Sequence, residues 1–226
     1  MHKDTIKNSI REDASEEFDI LFPERFIKNT DYYNSLMMMY RCAIREVSTK
    51  LEVLDDEFSV KYKRNPISSI KSRIKTPLSI YNKLQRLGYE FTEQNIREQL
   101  NDVAGIRVIC SFIDDIYAVA HLLAEQDDIT IIRIKDYIQN PKPNGYRSYH
   151  MIIEVPVFFM DAKELMRVEV QLRTVAMDFW ASLEHQIKYK KECTHDKELV
   201  RDLKLCADTI AETDLRMLEL RERMAR

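Results

Sequence analysis

From about Asp31, the residues Leu36, Tyr40, Ala43, Val47, Leu51 and Leu54 recur three or four positions apart, with Arg41, Arg45, Glu46 and Glu52 between them. That is the period of a long helix buried along one side. A similar stripe closes the chain: Leu199, Leu203, Cys206, Ile210, Met217, Leu220 and Met224, with Thr213 as its weak member. Between them come short runs rich in Ile, Val, Phe and Tyr, at 105–112, 129–137, 146–157 and 166–174, which predict strands. Residues 113–126 and 174–191 predict helices, and another helix starts near Pro77. Helix, strand, helix, strand, strand, strand, helix describes an α/β or α+β domain with a mixed sheet. Residues 1–30 are polar and charged and predict a loosely held arm. The domain then spans 31–192 with its N-terminal helix, and 193–226 form the C-terminal helix.

The chain has 226 residues, 45% hydrophobic and 32% charged, with a formal charge of −3. That size suits one soluble domain with helical appendages, or two small domains. No run approaches the roughly 18 apolar residues of a membrane span, and the first 30 residues lack a signal-peptide core, so a cytoplasmic protein is expected. Cys42, Cys110, Cys193 and Cys206 form no C-x-x-C, which predicts packed, reduced thiols rather than a zinc site or disulfide framework. The three glycines, Gly88, Gly105 and Gly145, are too sparse for a glycine-rich phosphate loop. Any phosphate site must therefore be built from side chains.

Lys61, Lys63, Arg64, Lys71, Arg73, Lys75, Lys83 and Arg86 follow one another with no acid between Glu57 and Glu90. In a chain of net negative charge this favours an anion site over a solvated helical face. Ser79, Lys83 and Arg86 share one side of the helix after Pro77. Strict alternation puts Arg167, Glu169, Gln171 and Arg173 on one face of a strand and Val168, Val170 and Leu172 on the other. Taken alone, that polar face reads as a half-exposed strand. The same period groups Tyr146, Ser148 and His150, just after the Pro141–Gly145 turn with Lys142 and Asn144. Asp102, before the 105–112 strand, and Glu169 would make a pair of oxygen ligands able to hold Mg²⁺ together with substrate phosphates.

These strings occur in a set order: R-I-K-T-P-L-S-I-Y-N-K (73–83), D-V-A-G-I-R-V (102–108), K-D-Y-I-Q-N-P-K-P-N-G-Y-R-S-Y-H (135–150), E-V-Q-L-R-T (169–174) and M-D-F-W-A-S-L-E-H (177–185). Over roughly 31–220 the chain resembles the synthetase domain of the RelA/SpoT family, in its short, stand-alone alarmone synthetase form. The resemblance implies an α+β fold with a nucleotidyltransferase-like mixed sheet. It implies transfer of pyrophosphate from ATP to the 3′-OH of GDP or GTP, giving AMP and (p)ppGpp, with Mg²⁺ as cofactor. Arg73, Lys75, Ser79, Lys83 and Arg107 match ATP-binding positions, with the two arginines placed to sandwich adenine. Asp102 and Glu169 match the Mg²⁺ carboxylates, with Glu169 also a candidate base. Tyr146 matches the residue that stacks on guanine, and Lys135, Lys142, Asn144 and His150 match the acceptor-nucleotide segment. Gln171 and Arg173 belong to the same strand motif, and Asp178 stands where relatives carry Asn and fits guanine N1–H and N2–H₂. Lys135 stands where some relatives have Arg. A homotetramer through the helices is implied as well.

His195–Asp196 spells the H-D dipeptide of the hydrolase domain in long relatives, but Asp196 reads more simply as an N-cap. With some 60 residues before the basic block, synthesis without hydrolysis is expected. The rival readings are an RNA-binding module on the 61–86 block, an interaction protein built on the terminal helices, and a nucleotidyltransferase with another acceptor. The first leaves Asp102 and Glu169 opposing a phosphate backbone; nucleic acid is therefore not a required partner.

Overall fold

The computed structural model describes residues 30–190 and 197–224. The expected arm at 1–30 lies almost wholly outside them, as do Cys193 and the His195–Asp196 pair. The chain divides into two compact units, one from residues up to Met39 and Thr76–Leu100, the other from Tyr40–Lys75 and Asn101 onward.

Helix α1 (Thr30–Tyr62) carries the first predicted stripe, and Leu36, Tyr40, Ala43, Val47, Leu51 and Leu54 are all buried. In the smaller unit, α2 (Pro77–Leu87) starts as its chemistry dictates. The Thr76 hydroxyl accepts from the Ser79 N–H, and Pro77 occupies the first turn, where a missing N–H costs nothing. Gly88, at φ 80°, ends it: its N–H and that of Tyr89 return to the Gln85 and Leu84 carbonyls. A short helix that the sequence pattern did not reveal, α3 (Glu93–Gln99), follows behind its own Thr92 cap. Ile80, Leu84, Ile96 and Leu100 are buried in this unit.

The larger unit holds a five-stranded sheet in the order β1-β2-β5-β4-β3. Its strands are β1 (Ile67–Ile74), β2 (Ala104–Cys110), β3 (Thr130–Asp136), β4 (Tyr149–Phe158) and β5 (Lys163–Thr174). Only β2 and β5 pair in parallel; the other neighbours are antiparallel, giving the expected mixed α+β sheet. Strand β1 is the element that the basic sequence concealed. Its Lys71 and Arg73 alternate with Ile70, Ser72 and Ile74, and polar residues on an edge strand carry little hydrophobic signal. The basic block therefore spans a strand and a helix, not one helical face. Strand β4 begins at Tyr149, so Tyr146 and Ser148 lie in the preceding loop.

Val108, Val168, Val170, Leu172, Met151 and Ile153 form the buried sheet core, with Ile116, Val119, Ala120 and Leu123 of α4 (Ile113–Ala124) also buried; α4 packs on β2 and β5. Burial on the order of 25 cal/mol per Å² of apolar surface holds this face together. Helices α5 (Val175–Lys190) and α6 (Lys197–Met224) pack on each other through Trp180, Leu203 and Ala207, with Leu199 and Ile210 alongside. The predicted α6 stripe holds only at Leu199, Leu203 and Ile210; Cys206 is exposed among them, and Met217, Leu220 and Met224 are exposed beyond. The second half docks through polar contacts: the Thr174 hydroxyl donates to Asp214 at 2.6 Å, and Arg221 forks onto Asp114 at 3.0 and 2.5 Å. Among the described residues no helix is long and apolar enough to cross a membrane.

Candidate active site

The sheet's second face is polar because in-register partners put their side chains on the same side. Arg73 pairs with Gly105 and Lys71 with Arg107 across β1–β2; Gly105 pairs with Glu169 and Arg107 with Gln171 across β2–β5; His150 pairs with Gln171 across β4–β5 and with Lys135 across β3–β4. Lys71, Arg73, Gly105, Arg107, Glu169 and Gln171 line a cleft there. The Arg73 side chain lies across Gly105, where a Cβ would meet its Cγ at 3.6 Å, an ordinary contact. Lys75 pairs with Asp102 at 2.9 Å, and the Lys75 N–H donates to the Val103 carbonyl at 2.8 Å, which ties the end of β1 to the start of β2. Ser79 and Lys83 lie on α2, in the other unit.

Glu169 is held from both sides. Its Oε2 accepts from Gln171 Nε2 at 2.9 Å, and its Oε1 faces His150 Nδ1 at 3.4 Å. Burial is the strongest single influence and pushes its carboxyl up, and the Asp102 charge adds to that. The hydrogen bond and charge of His150 and the bond from Gln171 together prevail, holding the group below the ordinary glutamate value. A carboxylate depressed in the fold contributes stability above its ordinary pKa and loses it as pH falls through the lowered value. In ¹³C NMR of the metal-free protein, Glu169 should titrate below the ordinary range. In His150→Ala, with burial no longer outweighed, it should titrate above the wild-type value; an unmoved titration would refute this account.

His150 Nε2 lies 2.9 Å from the Tyr146 hydroxyl, which also receives Arg173 Nη2 at 2.7 Å. A guanidinium can only donate, so the phenol's proton is left for Nε2, which assigns the neutral imidazole's proton to Nδ1, facing Glu169. Arg173 is the hub. It is 4% exposed and donates to Gln171 Oε1 at 3.0 Å, Asp178 at 3.2 Å and the Ser148 hydroxyl at 3.4 Å. Asp178 Oδ1 is also met by Arg107 at 3.2 Å, and Lys71 approaches Oδ2 at 3.9 Å. Burial lowers the Arg107 pKa, and the charges of Arg173 and Arg73 lower it further, against the pull of Asp178. The guanidinium stays charged, so this face carries a positive excess that a polyanion would relieve.

The 141–147 loop is clamped by α5 and α6. Asn144 Oδ1 accepts from the Tyr146 N–H at 3.2 Å, and its amide donates to Glu184 at 2.9 Å. Arg147 donates to the Ile138 carbonyl at 3.2 Å and lies 3.7 Å from Asp208, while Tyr146 packs on the Trp180–Leu203–Ala207 cluster. Gly145 adopts φ 88°, and a Cβ there would lie 2.5 Å from Ala207 Cβ. Gly145→Ala should therefore cost about 1–3 kcal/mol in urea unfolding and loosen the loop, through left-handed strain and overpacking. A loss below about 0.5 kcal/mol would show that α6 does not clamp it.

Arg73, Lys75, Asp102, Arg107, Glu169, Gln171 and Asp178 lie around one polar face, with Tyr146 and His150 linked to it by hydrogen bonds. Lys135 lies exposed on the edge strand beside His150. Tyr137, which the sequence reading passed over, meets Tyr146 edge to face at 6.0 Å and His150 at 5.2 Å. Its signal was present as an aromatic at the end of the predicted 129–137 run, although β3 stops at Asp136 and Tyr137 opens the turn that follows. Among the described residues no three His, Cys, Asp or Glu side chains form a metal site by themselves. Asp102 and Glu169 offer hard oxygen donors whose shell substrate oxygens would complete, which suits a small divalent cation.

A five-stranded mixed sheet presenting cations and two carboxylates on one face, with an aromatic loop at its edge, defines a protein that handles phosphate-rich ligands. Residues 72–194 match the family described as the region found in RelA / SpoT proteins. The chain belongs to this family. It is 45% identical to the GTP pyrophosphokinase YwaC of Bacillus subtilis over 85% of this chain and 91% of that protein. The crystal structure of small alarmone synthetase 2 from Bacillus subtilis superposes with a TM-score of 0.77 at 44% identity, covering 85% of this chain and 99% of that one. Small alarmone synthetase 1 from the same organism, bound to its product pppGpp, gives a TM-score of 0.78 at 30% identity over 86% and 99%.

Proposed function

We propose that this chain transfers the β,γ-pyrophosphoryl group of ATP to the 3′-hydroxyl of GDP or GTP, releasing AMP and forming (p)ppGpp. The observation that carries it is the joining of Glu169 to Tyr146 through His150, beside the Lys71–Arg73–Arg107 cleft: one network links a phosphate-binding face to a base-stacking ring.

On the larger unit, Arg73 and Arg107 flank the donor's adenine and Lys75 meets its phosphates. Lys75 stands 2.9 Å from the Asp102 carboxylate, at the edge of the same face. Asp102 and Glu169 would hold Mg²⁺, which when bound would neutralise charge on the transferred group. Tyr146 stacks on the acceptor's guanine. Lys135 and Lys142 meet its 5′-phosphates, His150 ties Tyr146 to Glu169, and Gln171 holds Glu169 in place. Asp178 reads the guanine edge once bound nucleotide draws Lys71 and Arg107 away. Asn144 shapes the loop. The lowered pKa of Glu169 suits a permanent anion that orients the 3′-hydroxyl and accepts its hydrogen bond more than it suits a strong base.

The exposed stripes Val175, Phe179, Leu183 and Ile187 on α5, and Leu215, Met217 and Leu220 on α6, favour assembly through these helices, for which we propose a cytoplasmic homotetramer. The test of function is to incubate the protein with ATP, Mg²⁺ and GDP or GTP and resolve the nucleotides. AMP and a 3′-pyrophosphorylated guanine nucleotide should appear in equal amounts; ADP in place of AMP would refute the reaction.

A further inference from the structure

Tyr137 and Tyr146 meet at 70°, so their ring faces form an open corner. The ammonium of Lys142 stands in it, 4.8 Å from the Tyr137 centroid and 4.6 Å from that of Tyr146. The turn folds the side chain back: the Gly145 N–H donates to the Lys142 carbonyl at 2.8 Å, and the Lys142 N–H donates to the Tyr146 carbonyl at 3.2 Å. Lys142 is nevertheless exposed, whereas the rings are half-buried.

We infer that in the ligand-free chain Lys142 fills the acceptor base's own seat, and that Tyr137 is that seat's second wall. The inference rests on the reading of Tyr146 as the ring that stacks on guanine. A planar base laid on Tyr146 enters the same corner and expels the ammonium, breaking two cation–π contacts. The loss is made good only if the ammonium finds an anion, and a 5′-phosphate on the same ligand provides one. One side chain thus makes base stacking conditional on phosphate, and selects nucleotides over nucleosides. A lysine waiting in solvent would favour the nucleotide through the phosphate contact alone and would leave the nucleoside indifferent to its removal.

The test is to measure binding of guanosine and of GDP by calorimetry to wild type, Lys142→Ala, Tyr146→Ala and the Lys142→Ala/Tyr137→Ala double variant. Lys142→Ala should weaken GDP yet tighten guanosine by about 5- to 30-fold, the scale of two partly exposed cation–π contacts. Adding Tyr137→Ala should remove the guanosine gain. Guanosine affinity unchanged or weakened in Lys142→Ala, with GDP weakened, would make Lys142 a phosphate anchor only; that overturns the inference and leaves the acceptor site standing. A guanosine gain that survives loss of Tyr137 would remove that ring from the seat. Binding of both ligands indifferent to Tyr146→Ala would overturn the acceptor reading, and the inference with it.

Discussion

Glu169→Gln should lower kcat by about 10²- to 10³-fold, the scale of losing one preorganised group aimed at the reacting atoms. The substitution keeps the shape and removes the charge. One oxygen of Glu169 accepts from Gln171 and the other faces the proton-bearing nitrogen of His150, so an amide there sets donor against donor at one of the two positions. It also deprives a divalent cation of one of its two protein carboxylates. The hydrogen bond from Arg173 to Tyr146 and the packing of Tyr146 on Trp180 and Ala207 remain. GDP affinity should therefore change by no more than a few fold while turnover collapses. Full turnover in this variant would dismiss Glu169 from the chemistry.

Arg173→Met should be the most destabilising single change in the site, costing about 3–5 kcal/mol of unfolding free energy, as expected when one partner of a buried ion pair is removed. Arg173 is 4% exposed and Asp178 8% exposed, so the carboxylate would lose one donor that water cannot replace and keep only Arg107 at 3.2 Å and the more distant Lys71. The Tyr146 hydroxyl, Gln171 Oε1 and the Ser148 hydroxyl lose their shared donor at the same stroke. Acceptor KM should rise even where enough folded protein remains to assay. Arg173→Lys should recover part of the stability and little of the acceptor affinity, because a point charge cannot span partners that a planar fork reaches together. Urea unfolding alongside acceptor KM separates the two effects. Stability and KM both near wild type in Arg173→Met would show that the network is ornamental.

What the sequence disclosed follows from which residues had to be periodic. The α1 stripe and the alternation of β5 are legible because burial on one side forces it: Ala43, Val47 and Leu51 are all fully buried, as are Val168, Val170 and Leu172. Strand β1 was hidden because its residues serve the site. Lys71 and Arg73 face the cleft, and an edge strand rich in cations looks like a solvated helix. The polar face of β5 read in isolation as half-exposed, yet Arg173 is buried on it. What buries it is the loop before β4 and α5, through Ser148, Tyr146 and Asp178; the first two contacts lie 25 and 27 residues away, a separation that no local pattern encodes. The role of α6 was out of reach for the same reason, since the need for glycine at 145 becomes visible only once Ala207 is set against it. Asn144 shows the reverse case: named with the acceptor segment, it spends both ends of its amide on the loop and on Glu184.

The most direct test of the central claim is a crystal structure with a non-hydrolysable ATP analogue, GDP and Mg²⁺ bound together. The account predicts the donor's adenine between Arg73 and Arg107 and its phosphates against Lys75. It predicts guanine on Tyr146, and the acceptor's 3′-hydroxyl within hydrogen-bonding distance of Glu169, on the same side of the sheet. Nucleotides bound with either ribose remote from Glu169, or Asp102 and Glu169 sharing no ligand, would contradict it.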